Sequence, residues 1–434
     1  MMDNMNKERI AIVDGIRTPM AKSGTDFASI EADDLGAIPV RELLARTNLN
    51  PNEIDEVIIG NVAQPAHAAN VGRVISLKAG VPKHVHGITV HRNCASGMES
   101  ISSGMNRIHL GESNIVLAGG VESMSNIPLL YNKSMTAWFY NMFKARTTSK
   151  KIKNLLRFRL KMLKPIIGLE VGLTDPVCGM MMGMTAENLA REFHITREEQ
   201  DQFALLSHQK AAAAIESGRL AEEIVSVPVP PKYKKVMEAD NGPRMNQTIE
   251  ALAKLRPYFD RKNGTVTVGT SSQVTDGAAS VLLMKESQAK AMGYTPLGYI
   301  KNYAYAGCEP SRMGLGPIYA TAKLMEKEAF SMSDVGLVEI NEAFAAQVIA
   351  NVEAFDSDKF AQKYLNRSTK IGAIDPAILN VNGGALSLGH PLGMTGTRLI
   401  ITILKEMHRR SISTGLASLC IGGGQGAAFL VEAQ

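Results

Sequence analysis

The chain has 434 residues, of which 45% are hydrophobic and 21% are charged, and its formal net charge at pH 7 is +5. This length and composition predict a globular protein of two or three domains with large cores, and the absence of a run of about 18 apolar residues excludes a helical membrane span. The four cysteines are far apart and form no Cys-x-x-Cys pair, so neither a disulfide framework nor a metal site is expected, and a reducing compartment fits.

The N-terminal residues 1–8 have no apolar signal core and are not an acid-free, Arg-rich transit peptide. A strand-like run, Ile10–Val13, follows directly. We therefore predict that the mature protein begins here and is cytoplasmic.

Strand and helix patterns alternate through the first third of the chain. Helical spacing between the strand-like runs is typical of βαβ units, and it predicts a mainly parallel sheet with helices on both faces. The predicted strands are Ile10–Val13, Val57–Ile59, Gly87–Val90 and Ile115–Gly120, and the predicted helices include the run with Leu35, Ile38 and Leu43 and the run Val71–Ala79.

The C-terminal part repeats this order, which predicts an internal duplication. The hairpin strand Gly426–Val431 has a counterpart in Gly277–Leu283. The other predicted elements here are strands at 299–303, 335–340, 378–381 and 416–420, and helices at 318–329, through Val348 and Val352, and through Leu399, Ile403 and Met407.

An insertion separates the two members of the repeat in the first half only. Gly120 and Gly277 are far apart in sequence, whereas a few glycines join Cys420 to the last strand. We therefore predict an N-terminal half (1–120 plus 277–290), an inserted loop domain (121–276) and a C-terminal half (291–434). Within the insertion, 185–194 and 198–218 are predicted helices and 227–231 an extended linker.

Cys94 lies between a predicted strand and a predicted helix. Met98, Ile101, Met105 and Ile108 recur after it at helical spacing. A thiol at a helix N-terminus faces unpaired N–H groups and the positive end of the helix dipole, which favour the thiolate of a nucleophile. The alternative is a small buried residue with a packing role only.

Duplication predicts that the strand ends of the two halves converge. Cys94, His390, Cys420 and Asn341 all lie at such ends, where α/β sheets bind their ligands. Two thiols, an imidazole and glycine-rich backbone suit acyl transfer through a thioester.

Four segments resemble the signature segments of the thiolases, in the same order and across nearly the whole chain. The resemblance implies a five-layer αβαβα fold built from duplicated α/β halves. The segments are Asn93–Gly97, Asn341–Ala345, Gly389–Gly393 and Cys420–Gly424.

The resemblance also implies roles for these residues. Cys94 would carry the acyl group, His390 would activate it, and Cys420 would act as acid and base on acetyl-CoA and on incoming CoA. One oxyanion hole would combine His390 with a water held by Asn341. The other would use the backbone N–H groups of Cys94 and Gly422.

Coenzyme A would be a substrate, and no cofactor or metal is implied. By the same resemblance, Arg244 matches an arginine that contacts the nucleotide of CoA, and Ser272 a serine near its pantetheine arm. Arg244 alone is equally compatible with a solvated surface residue. Met181 stands where short-chain biosynthetic members often have histidine.

Residues 128–168 of the insertion combine apolar and basic side chains. Between Ser123 and Leu169 there are ten Lys or Arg and no Asp or Glu, and the segment contains the only Trp. The pattern is typical of an amphipathic hairpin on anionic lipid, and it resembles the extended loop of thiolase subunits in membrane-associated fatty-acid oxidation complexes. A contact with their hydratase/3-hydroxyacyl-CoA dehydrogenase subunit and a solvated basic face are the alternatives; nucleic acid has no support from other motifs.

The favoured function is degradative cleavage of medium or long 3-ketoacyl-CoA esters by CoA, in a cytoplasmic protein that also associates with the membrane surface. A short-chain acetyl-CoA acetyltransferase is one alternative, and a non-catalytic lipid carrier is another. A condensing enzyme is disfavoured because Cys420 stands where such enzymes have histidine. The resemblance implies a homodimer or a dimer of dimers.

Overall fold

The structure, a computed structural model, describes residues 8–433, so the predicted absence of a leader in residues 1–7 lies outside it. The strands are β1 (Ile10–Arg17), β2 (Ala21–Lys22), β3 (Glu56–Gly60), β4 (His86–Val90), β5 (Ile115–Glu122), β6 (Leu129–Leu130), β7 (Ile166–Ile167), β8 (Val227–Pro228), β9 (Val236–Met237), β10 (Thr275–Lys285), β11 (Gly298–Gly307), β12 (Leu337–Ile340), β13 (Thr414–Ile421) and β14 (Gln425–Glu432).

The helices cover most of the segments predicted from apolar spacing. They are α1 (Ala32–Thr47), α2 (Val71–Lys78), α3 (Ser96–Leu110), α4 (Lys133–Lys144), α5 (Thr148–Leu155), α6 (Gly168–Gly172), α7 (Met182–Glu192), α8 (Arg197–Glu216), α9 (Ile249–Ala253), α10 (Glu286–Ala291), α11 (Gly316–Lys327), α12 (Ala345–Phe355), α13 (Asp358–Tyr364) and α14 (Leu392–Arg410). Among residues 8–433, no helix combines the length and apolar character that a membrane crossing requires.

Strand order shows the duplication directly. The first half has the order β1-β10-β5-β3-β4, and the second half has β11-β14-β13-β12, with Leu379 bridging to Val338 at the far edge. Numbered within each half, both orders read first, fifth, fourth, second, third. Three residue pairs between β1 and β11 join the halves. The residue boundaries predicted for the two halves and the inserted loop domain remain predictions.

The prediction of a mainly parallel sheet is wrong. Among the strands of residues 8–433, β3 runs parallel to β4 and β5, β12 runs parallel to β13, and the other strand pairs of the long sheet are antiparallel. The strands β10 and β14 are antiparallel to both of their long neighbours. Each closes its half as the return arm of a hairpin, β14 through a short turn and β10 after the insertion, so it reverses direction. The sheet is therefore mixed.

Helices and sheets form five layers. Helices α1 and α2 cover the outer face of the first half, and α11 and α12 cover the outer face of the second. Between the two halves, α3 packs against α14 and both lie in one core with strands of each half. Their apolar residues include Met98, Ile101, Leu399 and Ile403, which the sequence placed on helix faces.

The predicted strand at 378–381 does not form. Only Leu379 makes a bridge, because Asn380 adopts a left-handed conformation with φ of 45°. Its side chain replaces the missing backbone partner: the Ile340 N–H donates to Asn380 Oδ1 at 2.8 Å, and Asn380 Nδ2 donates to Ile340 O at 2.9 Å. The amide thus continues the sheet edge beside Asn341.

The predicted linker at 227–231 is partly ordered as a strand. Val227–Pro228 pairs with Val236–Met237, so this part of the insertion forms a small hairpin rather than an open connection. Val227 and Met237 are buried in the core beneath α1. Packing of these two side chains therefore anchors the connection.

We predict that Gly120→Ala destabilises the contact between the halves. A Cβ at Gly120 would overlap the backbone carbonyl of Gly393 at the start of α14, and backbone cannot move aside as a side chain can. Overpacking of this kind costs about 2 kcal/mol. Chemical denaturation measures the loss, and Gly307→Ala, where a Cβ meets open space, is the control. Equal unfolding free energies for the two variants would contradict the prediction.

Candidate active site

The turn that carries Cys94 is held from both sides. Asn93 has φ of 44°, a left-handed conformation that asparagine tolerates better than most residues. Its Nδ2 donates to Gly422 O at 2.8 Å, and Ser96 Oγ donates to Asn93 O at 2.7 Å. These bonds place Cys94 two residues before α3 and next to the turn that follows Cys420.

The Cys94 thiol is not the stabilised thiolate that its position before a helix predicts. Burial raises the pKa of Cys94, and it outweighs the lowering by the backbone N–H groups of Gly422 and Cys94 itself. The negative charge of nearby Glu122 raises this pKa further. Desolvation disfavours the charged form more than a few N–H dipoles favour it. Cys94 therefore needs a base.

His390 is a neutral imidazole in this site. It is buried, and burial together with the positive charge of Arg398 lowers its pKa to about 3. Its Nδ1 lies 2.7 Å from Thr395 Oγ1, and its Nε2 lies 3.4 Å from Asn341 Nδ2. A neutral ring can accept a proton, which the base of an acyl transfer must do.

Cys420 is the most enclosed of the reactive side chains. It is 1% exposed near the end of β13, and burial raises its pKa well above the usual value, with Cys94 and Cys308 adding to the effect. The following turn needs glycine, because Gly424 has φ of 77° and a Cβ there would overlap Cys308 O. A protonated thiol is thus fixed next to Cys94.

A single cavity of about 490 Å³ joins Cys94, His390, Cys420 and Ser272. Asn341 contacts His390 from behind, and Gly422 lines an adjoining cavity that also reaches Cys94. The structure therefore brings together all the predicted site residues except Arg244. Much of the wall is apolar, with Ile167, Leu169, Leu173, Met181, Met182, Phe259, Val268, Met313 and Phe344.

Asn341 has one free acceptor in this arrangement. Its Oδ1 is buried without a hydrogen-bond partner among the described residues, while its backbone N–H donates to Ser418 O at 2.9 Å. A buried amide oxygen of this kind has room in its bonding for one water. This is what the predicted oxyanion hole of His390, Asn341 and a water requires.

Arg244 is exposed and lies outside the cavity wall. Its backbone N–H donates to His208 Nδ1 at 3.1 Å, and burial with the charges of Arg244 and Lys22 lowers the pKa of His208 to about 4. Burial and the charge of Arg244 also lower the pKa of Lys22. Within residues 8–433, neither Lys22 nor Arg244 forms an ion pair. The two cations therefore leave a positive surface.

This surface adjoins the cavity. Ser23, next to Lys22, donates its N–H to the backbone of Val274 at 2.9 Å, and Gln273 Nε2 donates to Gly242 O at 3.1 Å. Both Val274 and Gln273 line the cavity. A ligand in the cavity could thus extend to Lys22 and Arg244.

Sequence reasoning missed two buried polar residues of the site. Glu122 accepts N–H bonds from Val62, Ala63 and Gly393 at 2.9 to 3.1 Å, and burial raises its pKa to about 7. The sequence feature that could have identified Glu122 is its position at the end of an apolar strand. Thr395 lies five residues beyond His390, in the first turn of α14, and its hydroxyl reaches back to the His390 ring.

The duplicated α/β fold and a cavity with two thiols and a neutral imidazole define a protein built for thioester chemistry. Residues 10–287 match the family described as "Thiolase, N-terminal domain", and residues 294–433 match "Thiolase, C-terminal domain". The chain belongs to the thiolase family.

Relatives of known name cover the whole chain. It is 42% identical to the 3-ketoacyl-CoA thiolase of Shewanella halifaxensis, over 99% of this chain and 98% of that protein. It is 41% identical to the 3-ketoacyl-CoA thiolase of Escherichia coli, over 98% of this chain and 97% of the other.

Solved structures of the family superpose closely. The acetyl-CoA acetyltransferase of Bacillus anthracis has a TM-score of 0.87 and 38% identity, with 99% of each chain covered. Human mitochondrial 3-ketoacyl-CoA thiolase in complex with CoA has a TM-score of 0.85 and 35% identity, with 98% of each chain covered.

Proposed function

We propose that this protein is a 3-ketoacyl-CoA thiolase of fatty-acid degradation, which cleaves 3-ketoacyl-CoA with CoA to acetyl-CoA and an acyl-CoA two carbons shorter. The observation that carries the proposal is the single cavity on which Cys94, His390 and Cys420 meet. The names of relatives that cover the whole chain support it.

In the first half of the proposed reaction, Cys94 gives its proton to His390 and its sulfur attacks the 3-keto carbon. The oxyanion that forms is held by hydrogen-bond donors on the cavity wall. The bond between carbons 2 and 3 then breaks, and its electron pair leaves on acetyl-CoA as a carbanion. Cys420 donates a proton to this carbanion, so acetyl-CoA departs and the acyl group remains on Cys94.

In the second half, the Cys420 thiolate takes the proton of the CoA thiol. The CoA sulfur attacks the thioester carbon, and the Cys94 sulfur leaves and regains its proton from His390. Every proton moved in the first half is thus returned, and no redox step occurs. Two thiols with raised pKa values suit this exchange, because each holds its proton until a partner base or carbanion is present.

For the CoA part of the substrate, we infer that Ser272 lies beside the pantetheine arm and Arg244 beside the nucleotide. Ser272 lines the cavity, and Arg244 with Lys22 forms the unpaired positive surface next to it. The CoA nucleotide is polyanionic, so two cations without counter-ions complement it.

For the acyl part, we propose medium or long chains. Met181 and Phe344 belong to a largely apolar cavity wall, and Ile167 and Leu169 extend that wall to the end of the 128–168 segment. Burial of each methylene in such a wall stabilises binding by about 0.8 kcal/mol.

Thiolytic cleavage of 3-ketoacyl-CoA esters from four to sixteen carbons tests this proposal. We expect kcat/KM to rise with chain length up to at least eight carbons, since each added methylene enters the apolar wall. Activity confined to acetoacetyl-CoA would instead identify a short-chain acetyl-CoA acetyltransferase. Absence of turnover with every ester, with tight binding unaffected by Cys94→Ala, would identify a lipid carrier.

We propose further that residues 128–168 bind an anionic membrane surface and make the protein peripheral to it. The segment is an ordered hairpin: Leu129–Leu130 pairs with Ile166–Ile167, and Trp138 Nε1 donates to Asn154 O at 2.8 Å. Its apolar side chains nevertheless face outward, with Phe143 90%, Leu160 79% and Leu156 75% exposed. Exposed apolar residues among ten cations match a lipid headgroup region.

Co-sedimentation with anionic vesicles tests this surface. We expect the triple variant Phe143→Ser, Leu156→Ser, Leu160→Ser to lose most binding, because it removes the apolar anchors and keeps every charge. Leu110→Ser, which removes an exposed leucine outside the segment, is the control. If the unaltered protein does not bind vesicles in the absence of other proteins, the lipid surface is rejected. The hairpin would then cover a hydratase/3-hydroxyacyl-CoA dehydrogenase subunit.

We also infer assembly as a homodimer or a dimer of dimers. The strand β4 is the terminal strand of the long sheet, so one side of its backbone has no sheet partner among residues 8–433. An edge strand of this kind is a site for pairing with another chain. It leads directly to the turn of Cys94, so pairing there would also stabilise the site.

A further inference from the structure

Thr395 makes a hydrogen-bond contact with the proposed base from within α14. It is 1% exposed, and its Oγ1 lies 2.7 Å from His390 Nδ1. The same oxygen lies 2.9 Å from the carbonyl oxygen of Pro391. A carbonyl can only accept, so the Thr395 hydroxyl proton is directed to Pro391. The hydroxyl oxygen then accepts a hydrogen from His390 Nδ1.

We propose that Thr395 is a positioning residue that holds neutral His390 with its proton on Nδ1 and its lone pair on Nε2. The inference rests on the proposed function, since it concerns the base of that reaction. A neutral imidazole carries one proton, and the partner of one ring nitrogen decides which nitrogen has it. Only a proton-free Nε2 can take the proton of Cys94.

The surroundings of Nε2 agree with this tautomer. Among the described residues, Asn341 Nδ2 lies 3.4 Å from Nε2; an amide N–H can only donate, so this contact is compatible with a lone pair on Nε2 and not with a proton there. With the amide in this orientation, Asn341 Oδ1 points elsewhere and stays available to a water. Thr395, His390 and Asn341 thus form one chain in which each donor meets an acceptor.

Two variants separate the role of the hydroxyl from that of packing. Thr395→Val keeps the shape and removes the acceptor, whereas Thr395→Ser keeps the acceptor and removes a methyl group. We expect iodoacetamide to alkylate Cys94 about 10-fold more slowly at pH 7 in the valine variant and within about 2-fold of the original rate in the serine variant. A role in packing alone would affect the serine variant as well.

Nitrogen-15 NMR of histidine-labelled protein reads the tautomer directly and does not depend on turnover. The His390 signals, assigned by their absence in His390→Asn, should show a protonated Nδ1 and a proton-free Nε2 in the unaltered protein. In Thr395→Val we expect a shift toward protonated Nε2. A protonated Nε2 in the unaltered protein would overturn the proposal even if the valine variant failed to fold.

The two proposals fail in different ways. If no 3-ketoacyl-CoA ester is cleaved, yet the tautomer and the alkylation rates follow Thr395 as expected, the proposed function is wrong and the role of Thr395 stands. If esters are cleaved and Thr395→Val changes neither the tautomer nor the alkylation rate, the role of Thr395 is wrong and the proposed function stands.

Discussion

Replacing Cys94 with serine is expected to lower kcat for thiolysis by about 10³-fold or more while leaving the binding of CoA esters nearly unchanged. The serine hydroxyl fills the same place in the turn held by Asn93 and Gly422, so the cavity keeps its shape. Its oxygen is a far weaker nucleophile than sulfur when His390 is the only base. Steady-state kinetics and calorimetric titration with an acyl-CoA measure the two effects separately.

Cys178→Ser is the matched control for this experiment. Cys178 is partly exposed and lies outside the cavity wall, and its backbone N–H donates to Asp175 Oδ1 at 2.9 Å. It should retain full activity. Substantial turnover by Cys94→Ser, or equal losses in both variants, would refute Cys94 as the nucleophile.

Removing the imidazole should change how the reactivity of Cys94 depends on pH. Burial raises the pKa of Cys94 and lowers that of His390 to about 3, so the thiol and the imidazole are both neutral between these values. The reactive pair, thiolate with imidazolium, forms by internal proton transfer, and the charge of the thiolate raises the pKa of the imidazolium beside it. While the pH stays below that raised pKa, the pair has the same population at every pH. We therefore expect an alkylation rate that is nearly constant from pH 5 to pH 8.

In His390→Ala the Cys94 proton can leave only to solvent. The alkylation rate should then fall tenfold for each unit by which pH is lowered, and at pH 7 it should be about 10²-fold below that of the unaltered protein. Timed alkylation across this pH range measures both slopes. An alkylation rate of the unaltered protein that changes with a midpoint near pH 6.5 would show that His390 titrates as an ordinary histidine, and the proposed pairing of Cys94 with His390 would be wrong.

The main outline of the fold could be predicted from the sequence because apolar periodicity reports burial. The alternation of strand-like and helical runs along the chain predicts strands at Val57–Ile59 and Ile115–Gly120, and both form. The similarity of Gly277–Leu283 to Gly426–Val431 predicts the duplication. Strand direction is different, since β10 and β14 are antiparallel to their neighbours and no local pattern encodes that. Asn380 also shows that one side chain can replace the backbone of a predicted strand.

The sequence predicts which side chains meet at the cavity better than it predicts the electrostatics of those side chains. Cys94, His390 and Cys420 stand out in the sequence because each has a glycine within three residues, and the structure brings them to one cavity. The thiolate expected at Cys94 was wrong because helix N–H groups are local while desolvation depends on the whole fold. Glu122 and Thr395 were missed for the same reason, since each acts through partners that only the tertiary structure supplies.

The central claim is that Cys94 carries the acyl group, and mass spectrometry of the trapped intermediate tests it most directly. The protein is mixed with a sixteen-carbon 3-ketoacyl-CoA in the absence of CoA, quenched in acid and digested. We predict a fourteen-carbon acyl group on the peptide containing Cys94, release of an equal amount of acetyl-CoA, and loss of the adduct when CoA is added. Acetyl-CoA release with the acyl group on another residue, or with no adduct formed, would contradict the claim.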